Sequence, residues 1–410
     1  MDQTLIINNL WMIIAAALVF IMNLGFACVE TGLIRSKNAT NVLFKNLLAP
    51  VLAIVTFAAF GFSILRHTGY EVLPGGFFAW GGFGLDAEQS NLDYSVNITY
   101  WTDFLFQTML AATAVTIIAG AVAERIKLVS FLLFAFIFLS FIYPVVALWH
   151  WGGGWLSTLT TPFKDFAGAS IVHTVGGYGA LMGAIMLGPR IGKYGEGRIN
   201  PIPGHNMSLA VIGLFMLWLG WFGFNGGAAL STDPSLISRI LVTTFLSGAA
   251  GCLAAFGVSY LIFRTHDITM SINGILAGLV GITAGADVMS TLEACIIGTI
   301  AGSLVVFSVL IFDRMKVDDP VGAVSVHLVC GTWGTLAVGI FGKLKGPDQI
   351  LSQLIGCAAI GIFTCTVSFL ILLLIRKTLG LRVSQKQELE GLDLGEHGMK
   401  AYTFDAENRF

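Results

Sequence analysis

DFAGASIVH at residues 165–173 and DPVGAVSVH at residues 319–327 align without a gap. Each segment places a histidine eight residues after an aspartate, so that Asp165 precedes His173 and Asp319 precedes His327. Both histidines fall inside apolar stretches of membrane length, where an ionisable side chain is costly and indicates a transport path. The histidine pair is therefore the strongest indication of function in the chain.

The composition indicates a membrane protein. Of its 410 residues, 56% are hydrophobic and 11% charged, and the mean hydropathy is +0.82, which excludes an ordinary soluble protein. A net charge of -2 gives no electrostatic reason to expect a nucleic-acid partner. The six cysteines lie in apolar segments without a CxxC spacing, so we expect neither disulfides nor a bound metal or other cofactor.

Eleven apolar stretches approach the roughly 20 residues that a helical span needs. They lie near residues 6–33, 43–65, 100–123, 127–148, 167–188, 207–228, 237–262, 272–288, 290–312, 322–342 and 350–375. The first stretch lacks the basic region of a secretory signal, so we expect it to remain as a span. The sequence thus predicts an all-α membrane protein with eleven transmembrane helices in residues 1–378, followed by a polar tail, residues 379–410.

The distribution of basic residues predicts the orientation. With the N-terminus outside and the C-terminus inside, most of the 22 lysines and arginines fall on the inner side, as the positive-inside rule requires. The exceptions are Arg66, Lys164, Arg239, Lys343 and Lys345. We therefore expect a multi-pass protein of the cell membrane (the inner membrane in a Gram-negative cell) with the lipid bilayer around it.

This orientation makes the repeated segment an inverted repeat. Asp165 enters the fifth span from outside and Asp319 enters the tenth from inside, which predicts repeats near residues 6–188 and 207–342 and an extra helix near 350–375. Eight helical residues rise about 12 Å. In a hydrocarbon core of about 30 Å the two histidines then differ in depth by about 6 Å, so their rings can meet near the midplane.

The pair and its aromatic neighbours suit a small polar or cationic solute. Two neutral imidazoles that share one N–H···N bond present both a donor and an acceptor, and they could also relay a proton. The alternative is that each histidine only satisfies a helix-packing hydrogen bond. Trp151, which stands before three glycines, and Phe106 could hold a desolvated cation over their rings. An interfacial aromatic belt is the alternative, which suits Trp155 and Trp101 better than Trp151.

Several long motifs extend this pattern over essentially the whole chain. They are GFACVETGLIRSKNATNVLFKN (25–46), GAVAERIK (120–127), WGGGWL (151–156), DFAGASIVH (165–173), WFGFNGG (221–227), DDPVGAVSVH (318–327) and the tail stretches GLRV (380–383) and EGLDLGEHG (390–398). In these motifs and their order the chain resembles the ammonium transporter family (Amt/Mep/Rh), in its Amt branch.

The resemblance implies a homotrimer with one pore per subunit and no enzymatic activity. It implies that NH4+, or methylammonium, is recruited at an outer vestibule and separated there into ammonia and a proton, and that ammonia then crosses an apolar pore. By motif position the implied residues are the vestibule's Phe106, Trp151 and Ala228 with Asp165 below it, the gate's Leu110 and Phe224, the pore pair His173 and His327, and the supporting Trp221 and Asn225.

Two positions depart from the family pattern. Leu110 stands where the second gate phenylalanine is expected, and Ala228 stands where a vestibule serine accepts a hydrogen bond from ammonium. Loss of that acceptor removes a contact worth on the order of 1 kcal/mol. Both departures are expected to weaken or retune recruitment without touching the histidines, and neutral drift within a transporter is the alternative.

The tail motif implies regulation. In the family this region packs under the cytoplasmic face, couples subunits and lies near the docking site of PII-type regulators, which implicates Arg382, Gly391, Asp393 and His397. A disordered tail is the alternative.

Two other functions are open. One is an ammonium receptor with a fused signalling domain, which would be favoured if the natural chain continues beyond Phe410. The other is an intramembrane enzyme that uses the histidines as metal ligands or acid–base groups, which is disfavoured because the sequence has no HExxH motif.

Overall fold

Helices dominate the computed structural model, which describes residues 3–66, 75–85, 98–195 and 197–402. They are α1 (Gln3–Leu33), α2 (Ala39–Thr56), α3 (Phe62–Leu65), α4 (Tyr100–Ala121), α5 (Leu128–Ile137), α6 (Tyr143–His150), α7 (Val175–Leu187), α8 (Met207–Gly227), α9 (Pro234–Phe263), α10 (Ile268–Thr283), α11 (Thr291–Arg314), α12 (Cys330–Ile340), α13 (Pro347–Thr378), α14 (Gln385–Glu390) and α15 (Leu392–His397).

Short irregular elements complete the described fold. A 3₁₀ turn, Ser36–Asn38, precedes α2, and two strands, Tyr194–Gly195 and Arg198–Ile199, pair antiparallel. Four π-helical turns interrupt or begin helices, at Phe57–Gly61, Phe138–Ile142, Ala169–Thr174 and Val324–Val329. Single π-helical turns are uncommon in proteins and frequently mark functional sites.

The predicted all-α membrane class is confirmed, whereas the count of eleven spans stays a prediction. Within the described ranges, nine helical stretches are long and apolar enough to cross a membrane. The predicted eighth and tenth spans correspond to shorter apolar helices, Ile268–Thr283 and Val324–Ile340. The tenth is short because its start, next to Asp319 and Pro320, is not helical.

Glycines allow the closest helix contacts. A Cβ atom at Gly213 in α8 would lie 2.6 Å from the carbonyl oxygen of Gly25 in α1, and one at Gly302 in α11 would lie 2.1 Å from that of Gly251 in α9. These distances leave no room for a side chain, so the high glycine content serves the close approach of backbones that membrane helices use.

The two repeated segments fold alike around their aspartates. The carboxylate of Asp165 accepts hydrogen bonds from four backbone N–H groups, those of residues 168–171, at 2.7–3.0 Å. Asp319 Oδ2 accepts one from the Val324 N–H at 2.7 Å. Each aspartate thus satisfies free N–H groups at the start of a π-helical turn, and the turn carries the histidine.

The segment between each aspartate and its histidine is therefore not a continuous α-helix. Gly168 and Gly322 adopt positive φ angles of 104° and 81° before the helix begins. The assumption of eight regular α-helical residues between each aspartate and its histidine was therefore wrong.

A buried ionic cluster ties the C-terminal ends of several helices together. The Arg190 guanidinium donates to both carboxylate oxygens of Asp318, at 2.8 and 2.9 Å, and to Glu124 at 2.9 Å. Glu124 also pairs with Arg35. Arg190, Asp318 and Glu124 are almost fully buried, so the cluster fixes the end of α4 against the loops that follow α7 and α11.

Candidate functional site

The two repeated histidines meet inside the helix bundle. Their Nδ1 atoms lie 3.2 Å apart, and the ring centroids are separated by 5.2 Å with an angle of 19° between the planes. Both side chains are buried. The predicted contact between His173 and His327 is therefore present, and one Nδ1 atom must donate while the other accepts.

Aromatic rings fix the position of the pair. His173 lies 5.2 Å from both the Trp221 and the Phe224 ring centroids, nearly parallel to Trp221 at 14°. The Trp221 indole N–H donates to Thr283 Oγ1 at 3.0 Å, which holds that ring in place. His173 Nε2 is buried and has no hydrogen-bond partner among the described residues.

Phe26 completes this environment, and sequence reasoning did not single it out. Its ring lies 5.9 Å from that of His327. The motif at residues 25–46 contains Phe26, but nothing in the local sequence links α1 to a histidine about 300 residues later. The link exists only in the folded chain.

A cavity of about 110 Å³, here called the outer cup, brings together four of the predicted vestibule and gate residues. They are Phe106, Leu110, Trp151 and Ala228, and the cup is further lined by Arg66, Gln107, Phe166, Ala167 and Leu230. The Trp151 indole N–H donates to the Asp165 carbonyl at 3.0 Å, and Arg66 donates to the Trp151 carbonyl. Hydrogen bonds thus hold both the side chain and the backbone carbonyl of Trp151.

The lining of the cup does not include the predicted residues Phe224, Asn225 and Asp165. Phe224 is buried against His173, whereas Leu110 borders the cup. Asn225 donates from Nδ2 to Thr244 Oγ1 at 2.9 Å, which gives it a role in holding α8 against α9. Asp165 lines a second outer cavity of about 360 Å³ that also borders Trp151 and Ala228. Burial raises the pKa of Asp165 above its usual value, although its four backbone hydrogen bonds favour the carboxylate.

Two further cavities lie on the other side of the pair. A small one of about 20 Å³, here called the inner pocket, is bordered by His327, Phe26, Glu30 and mainly apolar side chains. This volume suits one water-sized molecule. The inner pocket shares Asn273, Val321 and Gly322 with a cavity of about 440 Å³ that contains charged residues. Glu30 and Asn273 were not predicted from the sequence.

The predicted tail residues pack against the same chain. Arg382 pairs with Glu388 at 2.9 Å and donates to the carbonyls of Leu187 and Pro189 at 2.9 and 2.7 Å. Asp393 Oδ1 accepts from the Asn41 N–H at 2.9 Å. These bonds attach the tail to the ends of α2 and α7.

Gly391 and His397 complete the attachment. Gly391 has a φ of 110°, and a Cβ atom there would lie 2.5 Å from the Lys37 carbonyl oxygen. His397 contacts the Asn41 side chain at 3.1 Å, and its ring lies 5.1 Å from that of Phe44. Residues 403–410 of the predicted tail lie outside the described residues.

The enzymatic alternative requires further metal ligands near the histidines. Among the residues that the structure describes, no group of three or more His, Cys, Asp or Glu side chains is arranged to hold a metal ion.

Comparison with known proteins gives the family. A sequence profile described as the Ammonium Transporter Family matches residues 10–402. The chain belongs to the ammonium transporter family. Ammonium transporter Amt2 of Archaeoglobus fulgidus is 37% identical over 424 residues, which cover 97% of this chain and 88% of that protein.

Solved structures of the family share the fold. A structure titled Sensor Amt Protein matches with a TM-score of 0.88 at 35% identity, over 96% of this chain and 99% of the other. The crystal structure of Candida albicans Mep2 matches with a TM-score of 0.84 at 27% identity, over 94% and 88%. Membership in this family makes the chain a membrane protein of ammonium transport.

Proposed function

We propose that the protein recruits NH4+ at the outer cup and passes ammonia beside His173 and His327 to the inner pocket. The observation that carries this proposal is the 3.2 Å contact between the two imidazoles, together with the inner pocket that His327 borders and the outer cup that Trp151 and Phe106 line. The outer cup supplies aromatic surface for a cation, and the inner pocket has room for one small molecule.

Recruitment depends on the aromatic lining of the cup. A cation over an aromatic ring gains about 2 kcal/mol or more when it is desolvated, which Trp151 and Phe106 can provide. Ala228 offers only a methyl group, so NH4+ lacks there a hydroxyl acceptor worth on the order of 1 kcal/mol. The cup therefore relies on its rings more than on hydrogen bonds.

Passage depends on loss of the charge. An ion at the centre of a bilayer is expensive, whereas neutral ammonia needs only hydrogen-bond partners. The unpartnered Nε2 atom of His173 supplies one hydrogen-bond partner for ammonia. In the contact between the rings one Nδ1 atom donates and the other accepts, and the two imidazoles can exchange these roles. The proton left by NH4+ crosses separately or returns to the outer side. Leu110 and Phe224 form the gate between cup and pair.

The membrane arrangement that fits this path has eleven crossings, the N-terminus outside and the C-terminus inside. The matching π-helical turns at Ala169–Thr174 and Val324–Val329 support the inverted repeat. The protein acts as a homotrimer in the cell membrane. The tail, residues 379–410, regulates it from the cytoplasm, where a PII-type protein can bind.

The decisive experiment separates transport from sensing. The purified protein is reconstituted in liposomes on a solid-supported membrane, and current is recorded after an ammonium pulse, with uptake of labelled methylammonium measured in parallel. We expect saturable transport in at least one of the two assays. Saturable ammonium binding with neither current nor uptake would contradict the proposal and favour an ammonium sensor.

A further inference from the structure

Lys164 presents its own ammonium group at the outer side of the site. Its Nζ atom lies 2.7 Å from Asp287 Oδ2 and 5.2 Å from the centroid of the Phe166 ring. A carboxylate and an aromatic face are two groups that bind a small ammonium ion well. The lysine head group therefore occupies a position with the chemistry of an ammonium site.

This position adjoins the outer cup. The cavity of about 360 Å³ is lined by Lys164, Phe166 and Asp287, and it shares Trp151, Phe166 and Ala228 with the cup. A cation that approaches the cup through this cavity therefore passes the lysine and the carboxylate.

The backbone on both sides is held in place independently of the ion pair. The Gln353 side chain accepts from the Lys164 N–H at 2.8 Å and donates to the Lys164 carbonyl at 2.6 Å. Arg239 donates to the Asp287 carbonyl, and Thr243 donates to the preceding carbonyl of Ala286 at 3.0 Å. A change in the Lys164 side chain should therefore leave the carboxylate where it is.

Asp287 also has unused acceptor capacity. Its Oδ1 atom is buried and has no hydrogen-bond partner in the part of the chain that the structure describes. An ionised carboxylate can accept about four hydrogen bonds, and a lysine ammonium has only three donors to share. The Lys164 side chain is 27% exposed, so a solvent cation can reach the ion pair and replace the lysine ammonium group beside Asp287.

We propose that Asp287 and Phe166 form a second, outer subsite for NH4+ or another small primary ammonium ion, and that Lys164 is its built-in competitor. The lysine holds the subsite when external ammonium is scarce and lowers the affinity of the outer mouth for cations. This inference rests on the proposed function only in taking ammonium as the ligand, and it concerns binding alone.

The test is calorimetric titration of the purified full chain with ammonium chloride, at an ionic strength held constant with sodium chloride. In Lys164→Met the carboxylate is released, and we expect apparent ammonium affinity to rise about three- to five-fold. Lys164→Arg keeps the competing charge and should bind ammonium as the wild type does. The double variant Lys164→Met/Asp287→Asn should lose the gain.

A charge control separates a local site from the general field. Lys343 is exposed and its backbone N–H bonds to the Val288 carbonyl, next to Asp287. Lys343→Met removes one positive charge in this region without vacating the subsite, so it should leave affinity unchanged.

Three results would overturn the proposal: no gain in Lys164→Met, an equal gain in Lys343→Met, or a gain that survives Asp287→Asn. If Lys164→Met does not fold, Asp287→Asn alone decides, because it removes the carboxylate on which the proposed subsite depends. It should weaken ammonium binding several-fold, and unchanged binding would again contradict the subsite. A failure of transport would instead appear as missing current and uptake with these binding differences intact.

Discussion

Ala228→Ser tests how much the missing acceptor in the outer cup costs. Ala228 follows the last residue of α8 with ordinary right-handed angles, φ -61° and ψ -15°, so serine fits without backbone strain. It borders the cup together with Trp151 and Phe106, and its new hydroxyl would face a cation held there. One added hydrogen bond is worth about 1 kcal/mol net, which corresponds to about a five-fold tighter apparent affinity for ammonium.

The assay is ammonium titration of the purified protein, followed by the concentration dependence of methylammonium uptake in liposomes. Ala249→Ser in α9 is the control, because Ala249 lines neither the cup nor the larger outer cavity. We expect the gain only in Ala228→Ser. An unchanged affinity, or an equal gain in the control, would refute the assignment of the cup as the recruitment site.

The remaining predictions concern stability and the tail. Arg190→Met leaves Asp318 buried without its ion-pair partner and leaves Glu124 paired with Arg35 alone, and should lower the free energy of unfolding by about 3–5 kcal/mol, as thermal denaturation in detergent would show. Burial alone would raise the pKa of Asp318, but Arg190 lowers it to about 2, so this ion pair should stabilise the wild type above about pH 4 and lose that effect as the pH falls towards 2. The measurement is the melting temperature as a function of pH. It should fall between about pH 4 and pH 2 in the wild type, and this fall should be absent in Arg190→Met. Gly391→Asp forces a side chain against the Lys37 carbonyl, so it should impair uptake while size-exclusion chromatography still shows the oligomer of the wild type, which we propose is a trimer. Full activity would exclude a role for Gly391.

The histidine pair was predictable because the signal lies within two short segments that repeat each other. The aspartates at their starts explain why the segments match, since each carboxylate caps the turn that carries its histidine. The aromatic residues of the cup were predictable for a different reason, because their motifs resemble those of a known family. The parts of the site that lie within single short segments were therefore predictable from the sequence.

The missed features depend on contacts between distant parts of the chain. Lys164 and Asp287 are 123 residues apart, and each alone reads as an ordinary charged residue near the end of a span. Phe26 reaches His327 only because α1 packs within the bundle. The π-helical turns were missed because apolar periodicity does not distinguish a π-helical turn from an α-helical one over six residues.

Leu276→Trp provides the most direct test that ammonia passes beside the histidines. Leu276 borders the inner pocket of about 20 Å³ next to His327, so an indole there would fill the path without altering either imidazole. Leu261→Trp is the control, since the Leu261 side chain near the C-terminal end of α9 is 65% exposed and lines neither the inner pocket nor the cup. We expect Leu276→Trp to abolish ammonium-induced current and methylammonium uptake in liposomes while binding at the outer cup persists, and the control to transport normally. Wild-type flux through a folded Leu276→Trp variant would contradict the account.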